Sequence, residues 1–193
     1  MLDPSTRPGV RRGTSHTAAW FQLVFATGAV ALLVVGAWPR ALVAALLVPA
    51  MFAPAVLGRV VEQRLPTHLA VQLGCFIAAG PFAGAAFGLY SALPGWDKLV
   101  HADSGVLVVS AGLALLRGRS TRWPRLLLVQ GCAMAIAAGW EIVEFTSDTL
   151  FGTQAQHGNT DTMTDIIAGT VGAAAALVAF AVAKRVRPPG LPV

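Results

Sequence analysis

The chain has 193 residues, of which 55% are hydrophobic and only 12% charged, and its mean hydropathy is +0.67. A soluble domain carries about a quarter charged residues, so this composition excludes an ordinary water-soluble fold and points to an integral membrane protein. The net charge of +5 is not a nucleic-acid signal: the basic residues lie in short loops beside apolar spans, where they set topology and meet anionic lipid head groups.

Six apolar stretches follow one another, at 20–37, 41–57, 69–90, 99–116, 126–145 and 164–183. Each is close to the ~20 residues that carry a helix across the hydrocarbon core. The predicted fold is therefore all-α, a polytopic membrane protein of about six transmembrane helices. One transmembrane domain is expected over 19–185, between Pro-, Gly- and Arg-bearing tails at 1–18 and 186–193 that have little to pack. The first stretch exceeds the ~7–15-residue apolar core of a cleaved signal peptide and reads as a retained helix.

The first two stretches are almost purely aliphatic and read as scaffold, with Pro49 and Pro54 expected to bend the second. The third carries Gly80, Gly84 and Gly88 at i, i+4 and i+8, a ridge of small residues that admits another helix backbone. That partner is either a helix of the same chain or, by self-association, a second copy. The sixth has a similar small face around Ala168, Gly169, Gly172 and Ala176. Cys75 and Cys132 form no CxxC or Cys/His pattern and read as small packing residues. Residues 146–163 are expected to form the one long loop, either a lid or a plain surface connection.

Threading the stretches back and forth separates the charges. The N-terminus (Arg7, Arg11, Arg12), the second loop (Arg59, Arg64), the fourth (Arg117, Arg119, Arg122, Arg125) and the C-terminus (Lys184, Arg185, Arg187) hold 12 of the 14 Lys and Arg. Only Arg40 and Lys98 fall opposite, whereas seven of the nine carboxylates cluster at or near that opposite face. The positive-inside rule then predicts both termini in the cytoplasm. It places a multi-pass protein in the inner or plasma membrane, with its acidic cluster on the extracytoplasmic side.

Helical periodicity arranges the cluster. Asp97 and His101 are i, i+4 at the start of the fourth helix, with Ser104 deeper on that stripe. Glu141, Glu144 and Asp148 step i, i+3, i+7 along the end of the fifth, and Asp161 and Asp165 are i, i+4 at the start of the sixth. Asp103 points elsewhere and is expected to pair separately. Ionisable groups at membrane depth are costly, and adjacent carboxylates repel. Compensation is expected from a bound divalent cation, from protons, or from Lys98 and His101. Carboxylate oxygens with one imidazole suit Mg²⁺, Mn²⁺ or Ca²⁺, and with fewer oxygens Zn²⁺ or Fe²⁺. The candidate ligands are Asp97, His101, Glu141, Glu144, Asp148, Asp161 and Asp165. The opposing reading is that these groups merely cap helices and pair with Lys98 at a wet interface; it suits Asp97 and Asp161 at helix starts, but not Glu141 and Glu144 near a helix C-terminal end.

Trp96-Asp97-Lys98-Leu99-Val100-His101, followed by Ser104-Gly105, resembles the D-K-x-x-H signature of small VanZ-like membrane proteins. Gly139-Trp140-Glu141-x-x-Glu144, Asp148, Phe151-Gly152-Thr153, Gln156, Asp161-Thr162-x-x-Asp165 and Gly172 resemble the YjdF-type bacterial inner-membrane proteins. The likeness covers about 94–175 and implies fold and location rather than a reaction. Three functions stay open. The first is a metal-dependent enzyme acting on envelope lipid or lipid-linked phosphate, with Glu141, Glu144, His101 and Lys98 catalytic and Lys98 an anion clamp. The second is a proton- or cation-coupled transporter, disfavoured by the one-sided placement of ionisable groups. The third is a non-catalytic scaffold whose helices a cation holds together.

Overall fold

The computed structural model describes residues 13–63, 65–116 and 122–186. The cationic positions Arg7, Arg11, Arg12, Arg64, Arg117, Arg119 and Arg187 lie outside the described residues, as do the side chains of Arg122, Lys184 and Arg185. Among the described residues there is no strand, and six segments are long and apolar enough to cross a membrane. The all-α, six-span expectation holds.

Helix α1 (Gly13–Val34) is the first span and ends in a turn at Gly36, whose φ of 77° only glycine adopts readily. The second span is two helices, α2 (Trp38–Ala50) and α3 (Ala53–Val60), joined at Met51–Phe52. Pro54 has no N–H for the Ala50 carbonyl, so the bend expected from the prolines is a break, closed by a tight bond from Phe52 N to Pro49 O at 3.0 Å. The third span begins as α4 (Thr67–Ile77) and widens into a π-helical stretch over Ala78–Ala86. Pro81 lies inside that stretch and lacks the donor that a regular α-turn requires, which the wider turn accommodates. The span therefore stops at Ala86 instead of running to 90, because Gly88 turns the chain with φ 81°. One short turn, α5 (Leu89–Ala92), precedes a second positive-φ glycine, Gly95, and then α6 (Trp96–Leu115).

The last two helices, α7 (Arg122–Phe151) and α8 (Asn159–Val186), are longer than their apolar stretches. The 29-residue span within α7 reaches about 44 Å at ~1.5 Å per residue, well beyond the ~30 Å hydrocarbon core. The long loop expected at 146–163 is thus mostly helix, and only 152–158 connects α7 to α8. Thr146 and Thr149 lie within the helix, where their hydroxyls find acceptors without breaking it, donating to the carbonyls of Ile142 (2.7 Å) and Phe145 (2.8 Å) one turn back.

Two cores divide the bundle. Phe25, Met51 and Ile77 fill one centre, and Ala29, Leu32, Ala41, Ala44 and Ala86 an adjoining one, tying α1 and α2 to the third span. Phe82 packs between Phe25 and Phe87 with its ring tilted against both, centroids 5.0 and 4.9 Å away. Val109, Leu113, Val129, Ala133 and Ala173 form the other core, joining α6, α7 and α8. Contacts of α4 and the π-helical stretch with α6 link the two halves. Trp20, Leu33, Trp38, Leu127, Ile136 and Val171 are exposed, as expected of helices whose outer faces meet lipid. Cys75 and Cys132 are free thiols on the outer faces of their helices, and their neighbours Gly74 and Ala133 take the inward positions, about 100° away around each helix.

Small residues set the closest approaches. The notches of Gly80 and Gly84 are filled by Val100 and Tyr90 of the same chain, Tyr90 lying flat over Gly84. Helices α6 and α8 touch backbone to backbone. A side chain on Gly105 would strike the Gly169 carbonyl, and one on Gly172 would strike the Ala102 carbonyl.

Candidate metal centre

The α6–α8 contact aligns the polar residues one and two turns beyond it. His101 and Asp97 precede Gly105 by four and eight residues, and Asp165 and Asp161 precede Gly169 by the same steps. Two stripes with the helical i, i+4 repeat therefore face each other where the glycines let the backbones meet. Within this cleft Lys98 Nζ lies 3.1 Å from Asp97 Oδ2, 2.5 Å from Asp161 Oδ1 and 2.7 Å from Asp165 Oδ1. An ammonium has three N–H donors, and Lys98 faces three carboxylates with them. It is not the free anion clamp expected from the sequence.

A second group centres on His101 Nε2. Asp97 Oδ1 lies 3.4 Å away, Asp165 Oδ1 3.7 Å and Glu141 Oε1, from α7, 3.9 Å. His101, Glu141 and Asp165 are 8%, 4% and 2% exposed, so the group is shielded from solvent. Glu141 Oε1 and Asp165 Oδ1 are both fully enclosed; Asp165 Oδ1 has the Lys98 ammonium at 2.7 Å, whereas Glu141 Oε1 meets no hydrogen-bond donor. Buried polar atoms are rarely left so.

The other predicted site residues do not converge here. Glu144 accepts a 2.7 Å hydrogen bond from Trp140 Nε1 on the exposed side of α7. Asp148 accepts hydrogen bonds from Thr153 Oγ1 (2.5 Å), Ala155 N (2.9 Å) and Gln156 N (2.9 Å), clasping the 152–158 connection onto α7. Gln156 Nε2 completes the clasp at Thr162 Oγ1, 3.0 Å away. Asp161 contributes through Lys98, and its other oxygen lies 3.6 Å from Nδ1 of the exposed His157. Asp103 points toward α4, where it hydrogen-bonds Gln72; Gln72 Oε1 in turn accepts from Ser110 Oγ at 3.0 Å. Ser104 donates to the His101 carbonyl at 2.6 Å and is not a ligand.

Two contributors, Gly105 and Trp96, stood in the quoted signature without a role, and a third, Tyr90, was missed by sequence reasoning. Gly105 continues the Asp97–His101 stripe by one more step of four, a signal that was present. Trp96 Nε1 donates to the Ala79 carbonyl at 2.9 Å, pinning the start of α6 to the π-helical stretch. Tyr90, the only tyrosine, has its phenol pushed up to about 12 by burial and by the charges of Asp97, Glu144 and Asp165. Its half-exposed hydroxyl thus stays protonated within electrostatic range of the acidic group, and nothing local in the sequence marks it.

The ligand atoms of Asp97, His101 and Asp165 all lie within 4.8 Å of one another. Around Nε2 the contacts to Asp165 and Glu141, at 3.7 and 3.9 Å, are too long for direct hydrogen bonds, and the one to Asp97, at 3.4 Å, is a long hydrogen bond. They approach the ~3.3–3.6 Å edge of a tetrahedron with ligand bonds of ~2.0–2.2 Å. Four carboxylates against one ammonium also leave a negative excess. The spacing of Asp97, His101 and Asp165 suits a divalent cation, and the enclosed, unpartnered Glu141 Oε1 stands beside that group, 3.9 Å from His101 Nε2.

The family described as predicted membrane protein (DUF2238) matches residues 18–185. The chain belongs to that family. This bears out the YjdF-type resemblance, which is the same family by another label, and says nothing of VanZ-like proteins. The matched region takes in all six spans and every residue of the cleft. No curated protein and no solved structure matches the chain.

Proposed function

We propose that this member of the family carries a divalent-metal centre at the extracytoplasmic end of its bundle and uses it as an enzyme on envelope lipid or lipid-linked phosphate. One observation carries the reading: Glu141 Oε1, enclosed and unpartnered, stands 3.9 Å from His101 Nε2, which Asp97 and Asp165 also approach, at 3.4 and 3.7 Å. A divalent ion bound there polarises a phosphoryl oxygen or activates water. Asp97, His101, Glu141 and Asp165 hold it, while Tyr90 supplies a neutral O–H donor nearby. Glu144 and Trp140 lie on the exposed side of α7, where an amphiphilic substrate arrives from the lipid. The extracytoplasmic placement follows from the charge asymmetry of the loops.

A second reading has its own support. Lys98 faces three carboxylates with its three donors, an arrangement suited to a scaffold in which cations only hold α6, α7 and α8 together.

Metal analysis of the detergent-purified protein, with phosphate release from micellar lipid phosphates, separates the two. The enzyme reading expects one divalent ion per chain and metal-dependent phosphate release, both lost in Glu141→Gln. Stoichiometric metal without turnover leaves the scaffold. A wild-type protein that takes up none of Mg²⁺, Mn²⁺, Ca²⁺ or Zn²⁺ overturns both.

A further inference from the structure

Asp97 and Asp165 serve two positive centres at once. Asp97 offers Oδ1 to His101 Nε2 and Oδ2 to Lys98 Nζ, at 3.4 and 3.1 Å. Asp165 Oδ1 stands 3.7 Å from His101 Nε2 and 2.7 Å from Lys98 Nζ. Asp161 closes the far side of the ammonium. Two-metal sites are built this way, with carboxylates bridging cations ~3.5–4 Å apart that clamp the attacking and leaving oxygens. Here the second cation position is filled by a side chain.

We propose that the Lys98 ammonium is the built-in counterpart of a second metal ion, and that it makes a two-cation carboxylate site into a one-metal site. The inference rests on the metal reading of the His101 group but has its own observation. Asp165 Oδ1, fully enclosed, lies between the two centres, 2.7 Å from Lys98 Nζ and 3.7 Å from His101 Nε2, so one oxygen faces both cationic positions. A metal ion in place of the ammonium would share that oxygen in the same way. The three oxygens around Nζ come from Asp97, Asp161 and Asp165; His101 faces Asp97 and Asp165 on one side, and the exposed His157 lies 3.6 Å from Asp161 Oδ2 on the other. Removing the ammonium leaves three carboxylates facing one another with no cation, and such a set takes up hard divalent ions through oxygen.

The test is Mn²⁺ binding to the full-length protein in detergent, comparing wild type, Lys98→Ala and Lys98→Arg by metal content and electron paramagnetic resonance. Wild type and Lys98→Arg are expected to bind one isolated Mn²⁺. Lys98→Ala is expected to bind two with the spectrum of a magnetically coupled pair, and to gain a Mn²⁺-dependent rise in melting temperature larger than that of wild type. A folded Lys98→Ala protein that still binds one ion, or binds a second without coupling, overturns the inference and leaves the metal centre standing. Wild type binding none while Lys98→Ala binds one overturns the His101-centred reading and keeps the Lys98 position as a cation site. No binding in either overturns both. If Lys98→Ala folds poorly, Lys98→Gln gives the same comparison with more of the side chain's bulk.

Discussion

Gly105→Ala is the sharpest test of what builds the site, because it adds one methyl group where α6 and α8 touch. That methyl would lie 2.7 Å from Ala173 N and 3.1 Å from the Gly169 carbonyl carbon, and closer still to the carbonyl oxygen. Contacts of this kind settle near 3.5–4.0 Å, so the helices must part by about 1 Å. No side chain can rotate away, since the obstacle is backbone. Overpacking costs ~1–3 kcal/mol, and the upper end applies here. Alanine's advantage over glycine within a helix, ~0.5–1 kcal/mol, returns part of that, for a net loss of about 2 kcal/mol. The same displacement moves Asp165 and Asp161 away from His101 and Lys98, and ~1 Å of misplacement in a preorganised site costs on the order of a hundredfold. Thermal unfolding in detergent and Mn²⁺ titration read the two effects. Gly131→Ala is the control, because nothing lies within 4 Å of its added methyl; it is expected to be neutral or stabilising by ~0.5–1 kcal/mol with unchanged metal affinity. Equal stability and equal metal affinity in the two variants would refute the glycine-contact account of the site.

Glu141→Gln keeps the size of a buried side chain while removing a charge that no hydrogen bond compensates; the metal-free protein is expected to be at least as stable as wild type, and the stabilisation by divalent ions, ~2.7 kcal/mol at a hundred times the dissociation constant, to disappear. Asp148→Ala releases three hydrogen bonds from the 152–158 connection; limited proteolysis is expected to cut there faster, with metal binding unchanged, and a drop in metal affinity would return Asp148 to the ligand set. The sole tyrosine makes phenolate absorbance a reporter of Tyr90, which should ionise near pH 12 in the folded protein against about 10 unfolded. Since the raised value favours the protonated folded state, stability from this group is whole below about pH 10 and declines as pH rises toward 12; a titration midpoint near 10 would refute the placement of the phenol beside the carboxylates. Tyr90→Phe is expected to bind metal as wild type does and to lose phosphate release if the hydroxyl donates to substrate.

Much of the fold was legible because a bilayer makes demands on single segments. A helix that satisfies its own backbone and shows apolar side chains to lipid announces itself by length and hydropathy alone. Helix ends obey finer rules, and there sequence reasoning slipped. The polar run after Glu144 looks like a loop, yet Thr146 and Thr149 bond back to their own helix and carry it to Phe151. The Gly80–Gly84–Gly88 ridge looks like a helix-packing seam, yet within the chain Tyr90 and Val100 occupy its first two notches.

The site divides along the same line. Asp97 with His101, and Asp161 with Asp165, could be paired on paper because the i, i+4 repeat puts each pair on one helical face whatever surrounds it. Glu141 and Glu144 are only about 60° apart on α7, and no local rule says which one turns inward. Packing decided that Glu141 meets His101 while Glu144 takes the Trp140 indole and Asp148 holds a loop. The sequence by itself determined six membrane spans, the acidic end and the within-helix pairs, since these follow from periodicity and solvent. The tertiary structure alone decided which carboxylates gather around Lys98 and His101, because that depends on where two backbones can touch, and they touch at Gly105, Gly169 and Gly172.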